Sequence, residues 1–413
     1  MKNKLFSLVT AMLLSLASNA QWAPRTGFPG IAKAKSTAFT IGNKIYVMGG
    51  IDNASGILRD FWEYDIQGNT WVQRQSFPGP ERYGAVSFVL NNKGYIATGA
   101  NDFGFLDDLW EFDPVTGAWN QKTGLPPVSA HHDYQRREAF SFVIGSKAYI
   151  GGGDGFVFGA NSTTNVAFFD LWEYNPVTDS WIQKADIPDF AGRDFAIGAA
   201  VNNKGYVGLG CDIFFSTNRQ SFWEYDPLLD SWTVKAIFPS LFTVDAGAFV
   251  LNNALYVAGG FKIHPGSLSG QVYKYDPVSN VWTALSNFNG GAIAGEFAIS
   301  DGSAAFIGTG YDGNIDTRSD MWEFTTTTGI PSIELQSSKN VIIFPNPSDQ
   351  YISISSEKEL AFIEIYDMMG NIVDRQESGF GNINIRNLPN GAYAVKLSFM
   401  DGCYDKSRFL KSN

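Results

Sequence analysis

Apolar and polar residues alternate in short runs along most of the chain, with turn residues between the runs. Such a period-2 pattern predicts strands with one face buried and one solvated. Tyr83–Leu90 alternates small and apolar residues, and Asn91-Asn92-Lys93-Gly94 follows as a tight hairpin, because Asn and Gly tolerate positive φ. Next come Tyr95-Ile96-Ala97-Thr98-Gly99 and then Leu109-Trp110-Glu111-Phe112-Asp113. Asp113-Pro114-Val115-Thr116 reads as a type I turn into a last strand that carries Trp119. Four strands of this kind make one unit, and the unit returns along the chain.

The third strand of each unit is the clearest repeat. It reads Phe61-Trp62-Glu63-Tyr64-Asp65 and recurs at Leu109–Asp113, Leu171–Asn175, Phe222–Asp226, Val272–Asp276 and Met321–Thr325. In strand geometry Trp62 and Tyr64 share one face and Glu63 takes the other. Seven residues after Tyr64, Phe112, Tyr174, Tyr225 and Tyr275 stands another Trp: Trp71, Trp119, Trp181, Trp232 and Trp282. These advance by 48, 62, 51 and 50 residues, a period that belongs to propellers and solenoids. The sixth unit has no such Trp near position 332. Trp22 instead lies 49 residues before Trp71, which predicts that an N-terminal strand completes the sixth unit. Ile333-Glu334-Leu335 is the alternative source of that strand.

The paired glycines (Gly49-Gly50, Gly152-Gly153, Gly259-Gly260), together with the Tyr and Trp seven apart, resemble the kelch repeat over residues 21–328. The resemblance implies a β-propeller, here with six blades. The sequence departs from the paired glycines at Ala100, Leu209 and Thr309.

After Phe324 the repeat stops. Residues 329–340 read as a polar linker, and residues 341–413 read as strands with turn signals at Gly370 and Asn390-Gly391. The last segment is similar to the type A C-terminal sorting domain of type IX secretion, carried by Phe344-Pro345-Asn346-Pro347, Ile365-Tyr366-Asp367, Leu388-Pro389-Asn390-Gly391-Ala392-Tyr393 and Lys406, Arg408 and Lys411. That similarity implies passage from the periplasm across the outer membrane by the type IX machinery, followed by release or attachment at the cell surface. The expected fold class is therefore all-β: a six-bladed kelch-type propeller followed by a small β-sandwich.

Composition fits export. Lys2 and Lys4, the apolar stretch Leu5–Ala17 and Ser18-Asn19-Ala20 form a secretory signal peptide over residues 1–20, with cleavage expected between Ala20 and Gln21. No later segment approaches a membrane-spanning length. The formal net charge is −11, and loss of the two leader lysines makes it more negative, which argues against nucleic acid as a partner. Cys211 and Cys403 are the only cysteines, so the core, not cross-links, has to stabilise the chain.

Candidate chemistry is sparse. The chain has three histidines, no spaced Cys/His ligand set, no nucleophile elbow and no phosphate loop. No cofactor is expected, no metal site is assigned and no catalytic residue is named. Loops that break the repeat are the places to look. Unit three is enlarged around His131-His132-Asp133-Tyr134 and around Phe156 and Phe158; Phe103 and Phe105 in unit two and Phe214 and Phe215 in unit four flank it. At the start of each innermost strand the aligned positions are Lys33, Arg82, Arg136, Arg193, Thr243 and Ile293. Four cations on one face could hold an anionic sugar or carboxylate, or else cap carbonyls of the adjacent blade or pair with loop acids such as Asp52, Asp102 and Asp212. Lys33, Arg82, Arg136, Arg193, His132 and the six phenylalanines form the candidate binding set.

The leading expectation is a monomeric secreted or surface-displayed propeller that binds an extracellular protein or a glycan. The resemblance also admits an enzyme similar to kelch-type sialic acid mutarotases. A kelch-type copper oxidase is disfavoured by the thin histidine supply, and a structural part of a surface assembly remains a third reading.

Overall fold

The computed structural model describes residues 20–126, 135–159, 162–188, 192–212, 220–240, 243–264, 266–314, 316–326, 341–356, 359–367, 372–400 and 404–412. The chain divides into two compact units, one over residues 17–326 and one over residues 327–413 together with residues 1–16. Among the described residues every regular element is a strand, and no helix is long and apolar enough to cross a membrane.

The larger unit holds six four-stranded antiparallel sheets. Sheet 1 runs Thr37–Ile41, Lys44–Asp52, Gly56–Asp65 and Thr70–Arg74. Sheets 2 to 5 repeat this order, with innermost strands Val86–Leu90, Phe140–Ile144, Ile197–Val201 and Gly247–Leu251. Sheet 6 takes Phe297–Ser300, Ala305–Gly308 and Met321–Thr326 from its own stretch, and its outermost strand is Ala20–Arg25. That N-terminal strand pairs antiparallel with Met321–Thr326, with Trp22 opposite Phe324. Each innermost strand neighbours the next, and the sixth returns to the first, so the sheets form a closed ring.

Successive side chains of the third strands reach opposite neighbours. Phe61 packs on Phe39, Tyr46 and Phe112 toward sheet 2, while Tyr64 packs on Phe306 in sheet 6. The repeated glutamates serve the sheet: Glu111, Glu173 and Glu224 accept the phenol protons of Tyr95, Tyr149 and Tyr206 at 2.5, 2.9 and 2.5 Å. In the glycine pairs, Gly50 and Gly99 have φ of 103° and 102°, and Gly49 and Thr98 have 62° and 63°. The substituted glycine of sheet 2 is thus Thr98 and not Ala100. Leu209 and Thr309 keep φ of 61° and 59°, so the left-handed turn persists where the residue opposes it.

A clamp joins neighbouring sheets at the outer edge. Tyr64 donates to Asn69 Oδ1 at 2.7 Å, the same oxygen accepts the amide of Thr26 at 2.9 Å, and Trp71 Nε1 donates to the Thr26 carbonyl at 2.9 Å. Tyr174, Asp179 and Trp181 grip Thr123 in this way. Tyr225, Asp230 and Trp232 grip Ala185, and Tyr275, Asn280 and Trp282 grip Ala236. Because Thr26 follows the N-terminal strand, the first clamp ties that strand to sheet 1. Sheet 2 lacks the clamp: Phe112 has no hydroxyl and Gly117 no side chain, and a cavity of about 440 Å3 lies there, lined by Phe61, Glu63, Arg74, Gln75, Phe112 and Gly117.

The smaller unit pairs a sheet of Val341–Phe344, Tyr351–Ser356 and Ile383–Asn384 with one of Ile372–Gln376, Leu360–Tyr366, Gly391–Phe399 and Tyr404–Lys411. Ile352 and Ile354 from the first sheet and Ile363, Ile365, Val395 and Leu397 from the second share one apolar core, which makes a sandwich.

Candidate functional site

The four aligned cations are scaffold. Arg82 is 1% exposed and makes two bonds to Asp108 at 2.6 and 2.7 Å, plus one to the Thr98 carbonyl at 2.9 Å. Arg136 repeats this with Asp170, both bonds at 2.7 Å, and with the Gly152 carbonyl. Lys33 reaches Asp60 at 2.9 Å, and Arg193 reaches the Leu209 carbonyl and Ser221 Oγ at 2.5 and 2.6 Å. Lys33, Arg136 and Arg193 have no exposed surface. All four are buried and held by these internal partners, three of them by backbone carbonyls as well. Their partners are not Asp52, Asp102 and Asp212. For Lys33, Arg82 and Arg136 they are acids two residues before the third-strand Trp, whose indole N–H also donates to them: Trp62 to Asp60, Trp110 to Asp108 and Trp172 to Asp170, each at 2.8 Å; for Arg193 the residue at that place is Ser221.

The aromatic loops divide. Ala100–Asn101 and Gly104–Phe105 form a small hairpin over sheet 2, and Asp154–Gly159 with Ser162–Ala167 forms a longer one over sheet 3. Phe105 and Phe156 meet across them with ring centroids 4.8 Å apart. Phe103 is 92% exposed at the hairpin tip, and Phe156 is 38% exposed. Beneath them Arg137 pairs with Asp154 at 3.0 Å, donates to the Tyr83 hydroxyl and lies 5.4 Å from the Phe105 ring. His132, Phe214, Phe215 and the Phe158 side chain lie outside the described residues, while Ala20 and Gln21 open the strand that completes sheet 6.

A second group lies on the same face, at the mouth of the central channel, and was not legible as a motif. Two positions after the buried cation column stand Lys35, Gly84, Glu138, Phe195, Asp245 and Gly295, all with left-handed φ between 52° and 65°. Backbone bonds link them around the axis: Lys35 N to Gly295 O, Gly84 N to Lys35 O, Glu138 N to Gly84 O, Asp245 N to Phe195 O and Gly295 N to Asp245 O. Lys35 Nζ lies 2.7 Å from Glu138, 3.4 Å from Asp245 and 4.2 Å from the Phe195 ring centre. Burial pulls the Lys35 ammonium down, but Asp245, Glu138 and Asp194 outweigh it and hold it above its usual range. Burial also raises Glu138, with Asp245 adding to it, and raises Asp194, with Asp154 and Glu138 adding. One layer down the channel Glu296 accepts the Gly247 amide at 2.9 Å and is pushed up to about 8 by burial and by Asp245. A scaffold with buried cations, an aromatic hairpin pair and an acidic channel mouth is suited to holding a ligand. Among the described residues nothing in it aligns a nucleophile with a base.

Two kelch descriptions match the larger unit: the KLHDC2/KLHL20/DRC7 Kelch-repeats domain over residues 7–153 and the Kelch motif over residues 243–289. The secretion system C-terminal sorting domain matches residues 342–408. This is a kelch-repeat propeller with a type IX secretion sorting domain. The propeller is 23% identical to Kelch-like protein 25 of Xenopus tropicalis over 48% of this chain and 32% of that protein. It is 30% identical to N-acetylneuraminate epimerase of Pasteurella multocida over 30% of this chain and 33% of that protein. The chain spans about a third or less of the length of these curated relatives. Its fold is that of the solved structure of YjhT, with a TM-score of 0.57 and 18% identity over 71% of this chain and 95% of that one. The sorting domain directs the kelch propeller through type IX secretion to the cell surface or the extracellular space.

Proposed function

We propose that the exported propeller is a binding module that holds a protein or glycan on the hairpins of sheets 2 and 3. The observation that carries this reading is the Phe105–Phe156 contact above the Arg137–Asp154 pair, with Phe103 almost fully exposed beside it. Apolar rings beside a charged, hydrogen-bonding pair suit a sugar face or a protein loop, and exposed aromatics on rigid hairpins mark recognition surfaces. A glycan array, run beside a pull-down from surface extracts, tests it. Binding that disappears in Phe103→Ala with Phe156→Ala supports the reading, and unchanged binding in that double variant rejects it.

The second reading is a sugar-processing enzyme, favoured by the similarity to N-acetylneuraminate epimerase. The arginines that would have held an acidic sugar are buried, so such a substrate would have to meet Arg137 or Lys35, each already paired with a carboxylate. Anomer exchange of N-acetylneuraminate followed by NMR, unaccelerated by the protein, removes this reading. Signal cleavage between Ala20 and Gln21 belongs to the same proposal, and N-terminal sequencing of the exported protein checks it.

A further inference from the structure

Away from the hairpins, on the side of sheets 4 to 6, the channel mouth opens into a cup of about 200 Å3. Its wall is apolar: Phe195, Phe261, Leu268 and Tyr311. Its floor is charged, with Lys35 and Asp245. The cup is smaller than a site for a drug-sized molecule, so it suits one compact group.

The floor is not neutral. Lys35 is shared by two carboxylates and lies nearer Glu138, at 2.7 Å against 3.4 Å for Asp245. The longer contact is Asp245's one ion pair among the described residues, and Asp245 lines the cup. Around the mouth lie five carboxyls (Glu138, Asp154, Asp194, Asp245 and Glu296) with the cations Lys35 and Arg137, and Arg318 also acts on Glu296. Glu138, Asp194 and Glu296 all hold their protons to higher pH, and Lys35 keeps its charge against burial.

The backbone points the same way. Gly84 and Gly295 occupy two of the six ring positions, yet Phe195 and Asp245 adopt φ of 53° and 56° at equivalent ones. Such a conformation is strained for a bulky residue and tends to collect at functional sites. Here it holds the Phe195 ring and the Asp245 carboxylate against the same cup.

We propose that this cup binds a primary ammonium carried on a compact apolar body, with the ammonium on Asp245 and the body among Phe195, Phe261, Leu268 and Tyr311. Lys35 Nζ lies 4.2 Å from the Phe195 ring centre, a contact that aromatic walls offer an ammonium when a carboxylate lies near. The site is separate from the hairpins, so its failure leaves the binding-module reading standing.

Calorimetry or protein NMR on the full chain tests it with phenethylamine as the probe and 2-phenylethanol as the neutral control. Saturable binding of the amine, on the order of millimolar, with the alcohol at least about tenfold weaker, is the expected result. Phenylalanyl-glycinamide stands for a chain N-terminus, and whichever of it and phenethylamine binds tighter assigns the source. Asp245→Asn should weaken the amine about tenfold or more and leave the alcohol unchanged. If that variant does not fold, Phe261→Leu serves: it keeps the wall apolar, removes a ring and should weaken the amine alone. No saturable amine binding, equal binding of the alcohol, or a folded variant that binds like the parent overturns the proposal.

Discussion

Arg136 and Asp170 show how a charged residue becomes scaffold. The guanidinium has two bonds to one carboxylate, a third to the Gly152 carbonyl and an aromatic ring 4.3 Å away. Removing one partner strands the other charge in a dry interior. Arg136→Ala should therefore cost about 3–5 kcal/mol, read as a lower denaturant midpoint with the m-value unchanged. Glu296 gives a pH signature. Its ordinary value is 4.5 and its folded value is about 8, so between these the folded state holds a proton that the unfolded chain gives up. Stability from this residue is complete below about pH 4.5 and falls as pH rises toward 8. Glu296→Gln keeps the acceptor for Gly247 and cannot ionise. Melting curves from pH 5 to 8 should show a smaller fall in the variant than in the parent. A parallel fall in both rejects the assignment.

At the scale of elements, the tyrosine–tryptophan spacing has a cause that spacing alone does not reveal. Tyr64, Asn69 and Trp71 form one clamp on the preceding sheet, and Asn69 adopts φ of 51° to reach it. Asp179, Asp230 and Asn280 do the same at 49°, 47° and 57°. Sheet 2 has lost the hydroxyl and the acceptor together, at Phe112 and Gly117, and the indole nitrogen of Trp119 is buried without a hydrogen-bond partner. Gly117 has φ of 72°, and a Cβ there meets nothing within 4 Å. Phe112→Tyr combined with Gly117→Asp should restore the clamp to the Gln75 segment and raise the melting temperature by roughly 2–4 °C. A lower melting temperature in calorimetry would show that the open seam is the preferred state.

On the scale of the whole molecule, ring closure rests on a strand far from its partners in sequence. Trp22 is 6% exposed and packs on Phe288 and Phe324, both at 4.7 Å, and on Phe249. The strand covers the edge of Met321–Thr326, which would otherwise invite pairing between chains. Trp22→Ala should cost about 3–5 kcal/mol, and removing residues 21–26 should also promote aggregation. Scattering during a thermal ramp reads both, and an unchanged melting temperature in the truncated chain would deny the strand this role.

The sequence by itself determined the strands, their grouping by fours, the place of Trp22 and the two modules, because these follow from local alternation, turn residues and a repeat of near-constant length. It also carried the acids Asp60, Asp108 and Asp170 two residues ahead of each Trp, a signal legible in the spacing once the indole donor is considered. Only the tertiary structure decided which charges reach solvent. The cations at 33, 82, 136 and 193 align at the start of the innermost strands, yet each one is buried. The ring of Lys35, Glu138, Phe195 and Asp245 was equally hidden. No residue type there announces a left-handed backbone except glycine, and the cluster exists only because six segments far apart in the chain converge on one axis.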